Sequence, residues 1–326
     1  MSNIGGPSGP GSHLVLGGTG FIGRHLALAL AQSGAHVIIA SRHQPAFEFP
    51  VEVRRLITWK QLDVTSVDWL PLLSEVESVH HYAWATLPAT AQEDPTRDVT
   101  VNLVPLIRLL QALRELAPGS VTLTFASSGG TVYGKLSEIP VAETHELRPI
   151  TVYGTTKVAA EEYLRLYQQI YGVDVRIARL SNPYGAGRTT SGLQGVIGAI
   201  VSRALRDETI SIWGDGSVVR DFIHISDAVS GLLALSSTSL SSLQFSEFNV
   251  GTGEGTSIKD VIQVLESILH RSVRVRYEPA RAYDVPISIL DITRAKHFLP
   301  WRPQVSINQG IARTVDAFKA DSAFSS

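Results

Sequence analysis

The amino-acid sequence predicts an α/β fold: a doubly wound parallel sheet followed by a smaller C-terminal α/β lobe. Three observations carry this reading. Short β-branched or apolar runs alternate with longer segments of helical period through the first half, the pattern of a parallel sheet covered by crossover helices. A glycine-rich turn joins the first such run to the first amphipathic segment. After Asn182 the rhythm loosens into glycine-rich loops, short helices and isolated strand-like pieces.

The elements follow in order. Residues 13–16, 36–40, 79–84, 121–126 and 173–180 read as strands. Between them, Ile22, Leu26 and Leu30 share one helical face, as do Leu103, Ile107, Leu110 and Leu113. Residues 158–171, rich in Ala, Glu, Leu and Gln, predict a further helix, and 194–205 and Ile258–Leu269 two more. No repeat or low-complexity linker separates the halves, so the two lobes are expected to pack closely around a cleft.

Composition narrows the chemistry. Of 326 residues, 44% are hydrophobic and 18% charged, ample for a real core. The absence of cysteine removes disulfides, thiolate nucleophiles and thiolate metal sites. With 28 basic against 30 acidic residues, a nucleic-acid-binding surface is not expected. A membrane span needs roughly 20 apolar residues in a row, and the long uncharged stretch 228–246 is about half Ser, Thr and Gln. Residues 1–12 are mostly Gly, Pro and Ser, without the basic start and apolar middle of a signal peptide; they read as a flexible tail, and the cytoplasm as the expected location.

The run 14–16 leads directly into Gly17-Gly18-Thr19-Gly20-Phe21-Ile22-Gly23 and an amphipathic helix. Such a turn brings backbone close to a pyrophosphate and points helix N–H groups at it. This makes 13–182 a Rossmann-type dinucleotide-binding domain and leaves 183–326 as the substrate lobe, some segments of which can return to the first domain. The next strand runs into Ser41-Arg42 where an NAD enzyme normally carries an acid for the ribose. The cofactor is therefore NAD or NADP with a lean to NADP; the plain alternative is that Arg42 is a solvated loop charge. Asp63, beside Val64, is placed to meet the adenine end, although an acid opening a turn is also a common helix cap.

Tyr153 and Lys157 stand four apart, on one face of the helix that follows Pro149. A phenol has an ordinary pKa of about 10. A neighbouring ammonium favours its ionised form, so the pair can move a proton on a sugar hydroxyl while hydride passes to a nicotinamide.

Together, GGTGFIG, YGTTK, Ser128-Gly129-Gly130-Thr131-Val132-Tyr133-Gly134, Leu180-Ser181-Asn182-Pro183-Tyr184-Gly185 and Arg220-Asp221-Phe222-Ile223-His224 resemble the extended short-chain dehydrogenase/reductase family, nearest its nucleotide-sugar epimerases of the UDP-glucose 4-epimerase type. The resemblance runs from His13 to about Phe318. It implies Tyr153 as acid and base and Lys157 as the residue that holds the nicotinamide ribose. It also implies Gly17, Gly20, Phe21, Ile22, Gly23, Ser41, Arg42, Asp63, Val64, Ala83 and Asn102 at the cofactor. On a nucleotide-diphosphate sugar it implies Asn182 and the arginines Arg220 and Arg281 at the diphosphate, Asp284 at the ribose, and Ser288 as a gate beside the sugar. A 4-epimerase acting on a UDP-hexose or UDP-N-acetylhexosamine is the leading expectation, with an NADPH-dependent reductase of a nucleotide-linked 4-keto-6-deoxy sugar as the alternative. The family commonly dimerises through two helices, which 98–116 and 157–171 match.

Three departures stand out. Where the family carries a serine or threonine hydroxyl before its V-Y-G, this chain has Gly129, leaving Ser128, Thr131 or water to hold the substrate hydroxyl. An indole, Trp84, follows His81-Tyr82-Ala83 where the family has a small residue; it either stacks on a ring ligand or belongs to the core. The acid after Ala40 is missing. Elsewhere, the ten histidines lack metal-ligand spacing, and no metal is expected. His80 and His81 face opposite ways on a strand. Glu161-Glu162 read as a solvated helix face and Asp215-Gly216-Ser217 as a turn.

Overall fold

A computed structural model describes residues 11–187, 195–238, 246–279 and 285–320. The first half runs β1 (Ser12–Leu16), α1 (Phe21–Gln32), β2 (His36–Ser41), α2 (Val51–Arg54), β3 (Ile57–Gln61), α3 (Trp69–Leu73), β4 (Ser78–His81), α4 (Pro88–Glu93), α5 (Pro95–Asp98), a π-helical turn Val99–Leu103, α6 (Val104–Leu113), β5 (Thr122–Ser128), α7 (Val152–Tyr171) and β6 (Asp174–Leu180). The second continues with β7 (Asn182–Tyr184), α8 (Val196–Leu205), β8 (Ile210–Trp213), β9 (Val219–Arg220), β10 (Phe222–His224), α9 (Ile225–Ser237), β11 (Glu247–Val250), β12 (Thr256–Ser257), α10 (Ile258–Leu269), β13 (Val275–Glu278), β14 (Ile287–Ser288), α11 (Thr293–Phe298) and α12 (Ile307–Ala320).

Seven strands form the main sheet in the order β11-β6-β5-β4-β1-β2-β3. The pairs β2–β3, β1–β2, β1–β4 and β4–β5 are parallel. The order turns back on itself beside β1, which places a crevice at the carboxyl ends of β1 and β4, where open α/β sheets bind ligands. The expected doubly wound α/β architecture is thus observed. Several expected boundaries move: β4 ends at His81, so Tyr82–Trp84 lie beyond it, β5 runs on to Ser128, α7 begins at Val152 rather than 158, and Ser12, placed in the tail by composition, opens β1. Met1–Pro10 lie outside the described residues.

By internal packing the chain forms two units, 1–126 with 159–177, and 127–158 with 178–326. In the first, Leu14, Leu16, Val79, Leu123, Phe125, Val175 and Ile177 from the sheet meet α3, α6 and α7 through Leu73, Leu106, Leu110, Leu164 and Tyr167, all buried. The opposite side is polar over β4, β5 and β6 and at His13 of β1, whereas Val15 of β1 is apolar and buried there. His13 and His80 share a hydrogen bond of 3.2 Å, Thr122 donates to Asp174, and Arg176 pairs with Asp174 at 2.9 Å. The hydroxyls of Tyr82 and Thr124 are buried there without a partner among the described residues. Burial pushes His80 down to about 3 and the Tyr82 phenol up.

The second unit has its own core, where Ile197, Ile200, Val201, Ile212, Phe222, Val261, Leu265, Ile311 and Val315 bring α8, α10 and α12 together. Helix α10 starts at a reciprocal cap: the Ser257 hydroxyl accepts from the Asp260 amide, and the Asp260 carboxylate accepts from the Ser257 amide.

Candidate functional site

The candidate residues form two groups, one in each unit. In the first unit, the turn after β1 is closed by backbone. Gly17 adopts a φ of +77°, which side chains rarely allow, and donates its amide to Ala40 O. A Cβ on Gly17 would lie 2.9 Å from the Tyr82 carbonyl carbon and the Ala83 amide nitrogen, and one on Gly23 only 2.3 Å from Gly17 O. Gly20 caps α1 without a side chain, and no acid occupies the first turn. The amides of Phe21 and Ile22, which an α-helix leaves without internal partners, therefore begin a helix well suited to an anion.

At the end of β2, Ser41 is committed: its hydroxyl donates to His43 O at 2.7 Å and accepts from Trp59 Nε1 at 3.0 Å. The carbonyl of Arg42 accepts from Gln61, whereas its exposed guanidinium makes no ion pair among the described residues. Asp63 is no helix cap. Its Oδ1 accepts from the amide and hydroxyl of Thr65, a local turn, and these bonds, aided by the Arg42 charge, hold its carboxyl below the usual range. Val64 packs against the core beside it.

Asn102 shapes the segment after β4 from within the π-helical turn. Its Oδ1 accepts the Ala85 amide at 2.7 Å, and its Nδ2 donates to Thr86, to Asp98 O and to Asp98 Oδ1. Thr86 closes this buried group by bonding Asp98. Asn102 thus fixes the backbone that follows Ala83. Trp84, half-buried, meets Phe125 edge-on at 5.8 Å and packs against the core, as the plainer of its two readings has it.

The second group surrounds the start of α7. Lys157 is buried, with Nζ 5.7 Å from the centre of the Tyr153 ring one turn earlier. β5 runs through to Ser128, whose carbonyl accepts the amides of Thr131 and Val132. This turn presses on the helix, since a Cβ on Gly154 would lie 2.6 Å from Thr131 O. Behind it, Arg179 donates to the Tyr133 hydroxyl and to Glu143 O, and Tyr133 donates to Asn249 Oδ1 at 2.7 Å.

Asp221 ties together three residues singled out in the sequence. Its carbonyl accepts from the backbone and side-chain amides of Asn182, and its own amide donates to Ser288 O. Ser288 itself is buried and pairs in register with Arg220. The Asp221 carboxylate, raised by burial, accepts the amides of Thr252 and Gly253 and the Thr252 hydroxyl. Arg220 donates to Val285 O at 2.7 Å. Arg281 and Asp284 lie outside the described residues. Composition offered no sign of Asp221's role, because its partners Asn182, Thr252 and Ser288 are all distant in the chain.

Two lesser readings separate. Asp215 does form a turn, accepting from the amide and hydroxyl of Ser217. Glu161, expected in solvent, is fully buried and reaches Arg165 at 3.3 Å, while Glu162 is exposed. A helix of α7's length turns one of two adjacent residues inward, and the sequence does not say which. Among the described residues no cluster of histidines and carboxylates could hold a metal, and no helix is long and apolar enough to cross a membrane.

Known proteins resemble this chain throughout. A family model described as the NAD dependent epimerase/dehydratase family matches residues 13–251. A protein named putative UDP-glucose 4-epimerase, from Methanocaldococcus jannaschii, is 31% identical over 307 residues, covering 94% of this chain and 98% of its own. A dTDP-4-dehydro-6-deoxyglucose reductase from Escherichia coli is 30% identical over 318 residues, covering 94% and 97%. Among solved structures, the UDP-glucose 4-epimerase of Thermus thermophilus in complex with NAD matches with a TM-score of 0.83 at 30% identity, over 95% of this chain and 99% of that one.

Proposed function

Because this chain belongs to the NAD-dependent epimerase/dehydratase family, as an enzyme of the extended short-chain dehydrogenase/reductase type, we propose that it is a nucleotide-sugar 4-epimerase acting on a UDP-hexose or UDP-N-acetylhexosamine. The observation that carries this reading is the Tyr153–Lys157 pair on one turn of α7, with Lys157 buried beneath it. The glycine turn suits the cofactor, because its close contacts leave no room for side chains where a pyrophosphate needs bare backbone. The glycine turn and Lys157 would hold the dinucleotide, whose nicotinamide would supply reversible hydride transfer at C4 of the sugar. Tyr153 takes the proton of the 4-hydroxyl as the 4-keto sugar forms and gives it back afterwards. Lys157, positively charged, favours the phenolate that makes this possible.

In this reading 13–182 is the dinucleotide-binding part and 183–326 the sugar-nucleotide lobe. Arg220 and Arg281 clamp the diphosphate beside Asn182, Asp284 takes the ribose, and Ser288 limits the substituent on the sugar. The enzyme works in the cytoplasm as a homodimer. In favour of a dimer, α7 exposes Tyr163, Leu166 and Ile170 along one stripe, at 37, 44 and 59% of their surface.

Arg42 favours NADP over NAD, since β2 runs into an arginine where NAD enzymes carry an acid and its guanidinium forms no ion pair among the described residues. The same observation, with the likeness to the E. coli reductase, supports the second reading: an NADPH-dependent reductase of a nucleotide-linked 4-keto-6-deoxy sugar. A dehydratase is disfavoured, for 129–131 offer no carboxylate for an elimination. Incubation with UDP-glucose, UDP-galactose and their N-acetyl forms without added cofactor tests the epimerase; failure to interconvert any pair rejects it. Denaturing the purified protein and identifying the released nucleotide then separates the two readings.

A further inference from the structure

Residue 129 cannot carry a side chain in this fold. A Cβ there would fall 2.6 and 2.8 Å from the two methyl carbons of Leu290 and 3.2 Å from Arg179 O. Leu290 cannot swing away easily, because it is 1% exposed and locked among Val132, Tyr133, Val141 and Ile292. Its backbone is held as well: Val141 donates to Ile289 O, and Asp291 donates back to Val141 O. Gly130, by contrast, faces open space, with no described atom within 4 Å of a Cβ placed on it. Beyond it, the Thr131 hydroxyl is buried and has no partner among the described residues. A buried hydroxyl without a partner costs about 1–3 kcal/mol, a penalty relieved when a ligand or water bonds it. The Thr131 carbonyl rests on Gly154, the neighbour of Tyr153.

We infer that Leu290 has displaced the substrate-facing hydroxyl from position 129, and that Thr131 Oγ1 supplies it in its place, in preference to Ser128. The inference rests on the epimerase reading and makes it more specific. In the forward step the C4–H pair would pass as hydride to the nicotinamide of the dinucleotide and the 4-hydroxyl proton to the Tyr153 phenolate, with Thr131 hydrogen-bonded to the sugar oxygen throughout.

The test compares T131V, T131S, S128A and the triple variant G129S/T131V/L290A in UDP-glucose to UDP-galactose conversion, each first shown folded by circular dichroism. T131V is expected to lower kcat at least 30-fold with KM within threefold, on the scale of losing one hydrogen-bond donor at the reacting oxygen. T131S recovers at least tenfold of that loss, S128A costs at least tenfold less than T131V, and the triple variant, which restores room and hydroxyl at 129, exceeds T131V at least tenfold. Near-wild-type kcat in T131V, or a larger loss in S128A, overturns the inference. If the wild-type protein converts no UDP-hexose, the functional reading fails, and a crystal structure with bound UDP-glucose decides separately about Thr131. Thr131 Oγ1 within hydrogen-bond distance of a sugar oxygen supports the inference; an Oγ1 that bonds no sugar oxygen, or Ser128 in its place, overturns it.

Discussion

Lys157 Nζ stands 5.7 Å from the centre of the Tyr153 ring, one helical turn along α7. An ammonium buried at this distance has two uses for the same charge, favouring the phenolate and offering a fixed donor. Replacing Tyr153 by Phe removes the only proton carrier in the proposal while preserving the ring. Turnover should fall by about 10²–10⁴, with nucleotide-sugar affinity by calorimetry almost unaltered. Lys157→Met should cost turnover too, and move the rising limb of the pH–rate profile to higher pH, since the phenolate then forms only at higher pH.

In the proposal, the choice of cofactor turns on the charge of Arg42, just past the end of β2. Arg42→Ala should weaken NADP by about 10-fold or more, the scale of a lost charge-assisted hydrogen bond, and weaken NAD much less. Equal losses for the two, measured by fluorescence titration, would remove the case for NADP.

Gly23 sits against backbone, so an added methyl has nowhere to go: its carbon would be 2.3 Å from Gly17 O. Gly23→Ala should open the turn at a cost of about 1–3 kcal/mol and reduce cofactor affinity at least tenfold. Thermal melts with and without NAD would show a lowered midpoint and a lost ligand-induced rise; an undiminished rise contradicts the assignment of the turn.

His80 gives the protein an acid-side weakness. Its folded value is pushed down to about 3 by burial, with the His13 charge adding to the effect, against an ordinary value of 6.5. Between these the unfolded chain binds a proton that the folded chain refuses, so stability is full above pH 6.5 and falls as the pH drops. The slope is about 1.4 kcal/mol per pH unit for one such group. His80→Leu should flatten the fall of the melting temperature from pH 7 to pH 5, while His13 and His25, also lowered by burial, keep part of it. A variant as acid-sensitive as the parent would refute this.

The parts of the site that lie close together in the chain were readable from it. The glycine turn between strand and helix, the four-residue spacing of Tyr153 and Lys157, and α10 at Ile258–Leu269 all depend on neighbours within one or two turns. Hidden were features made by distant partners. Nothing near Gly129 in sequence announces that Leu290 takes its space, and nothing near Asn182 announces that Asp221 holds it. Glu161 misled for a related reason: helical period marks a buried face, but a carboxylate drawn inward beside Arg165 breaks the apolar pattern that would reveal it. The end of β4 at His81 was likewise set from outside, by the contact of Gly17 with Tyr82 and Ala83.

The polar side of the central strands, where His13, His80, Thr124, Asp174 and Arg176 stand in place of aliphatic residues, has a calorimetric consequence. Exposing apolar surface on unfolding raises the heat capacity, whereas exposing polar surface lowers it. A sheet buried through such a face releases less heat-capacity change than an aliphatic one of equal area. The stability of this protein should therefore vary along a broader, flatter dome of temperature, with less loss on cooling.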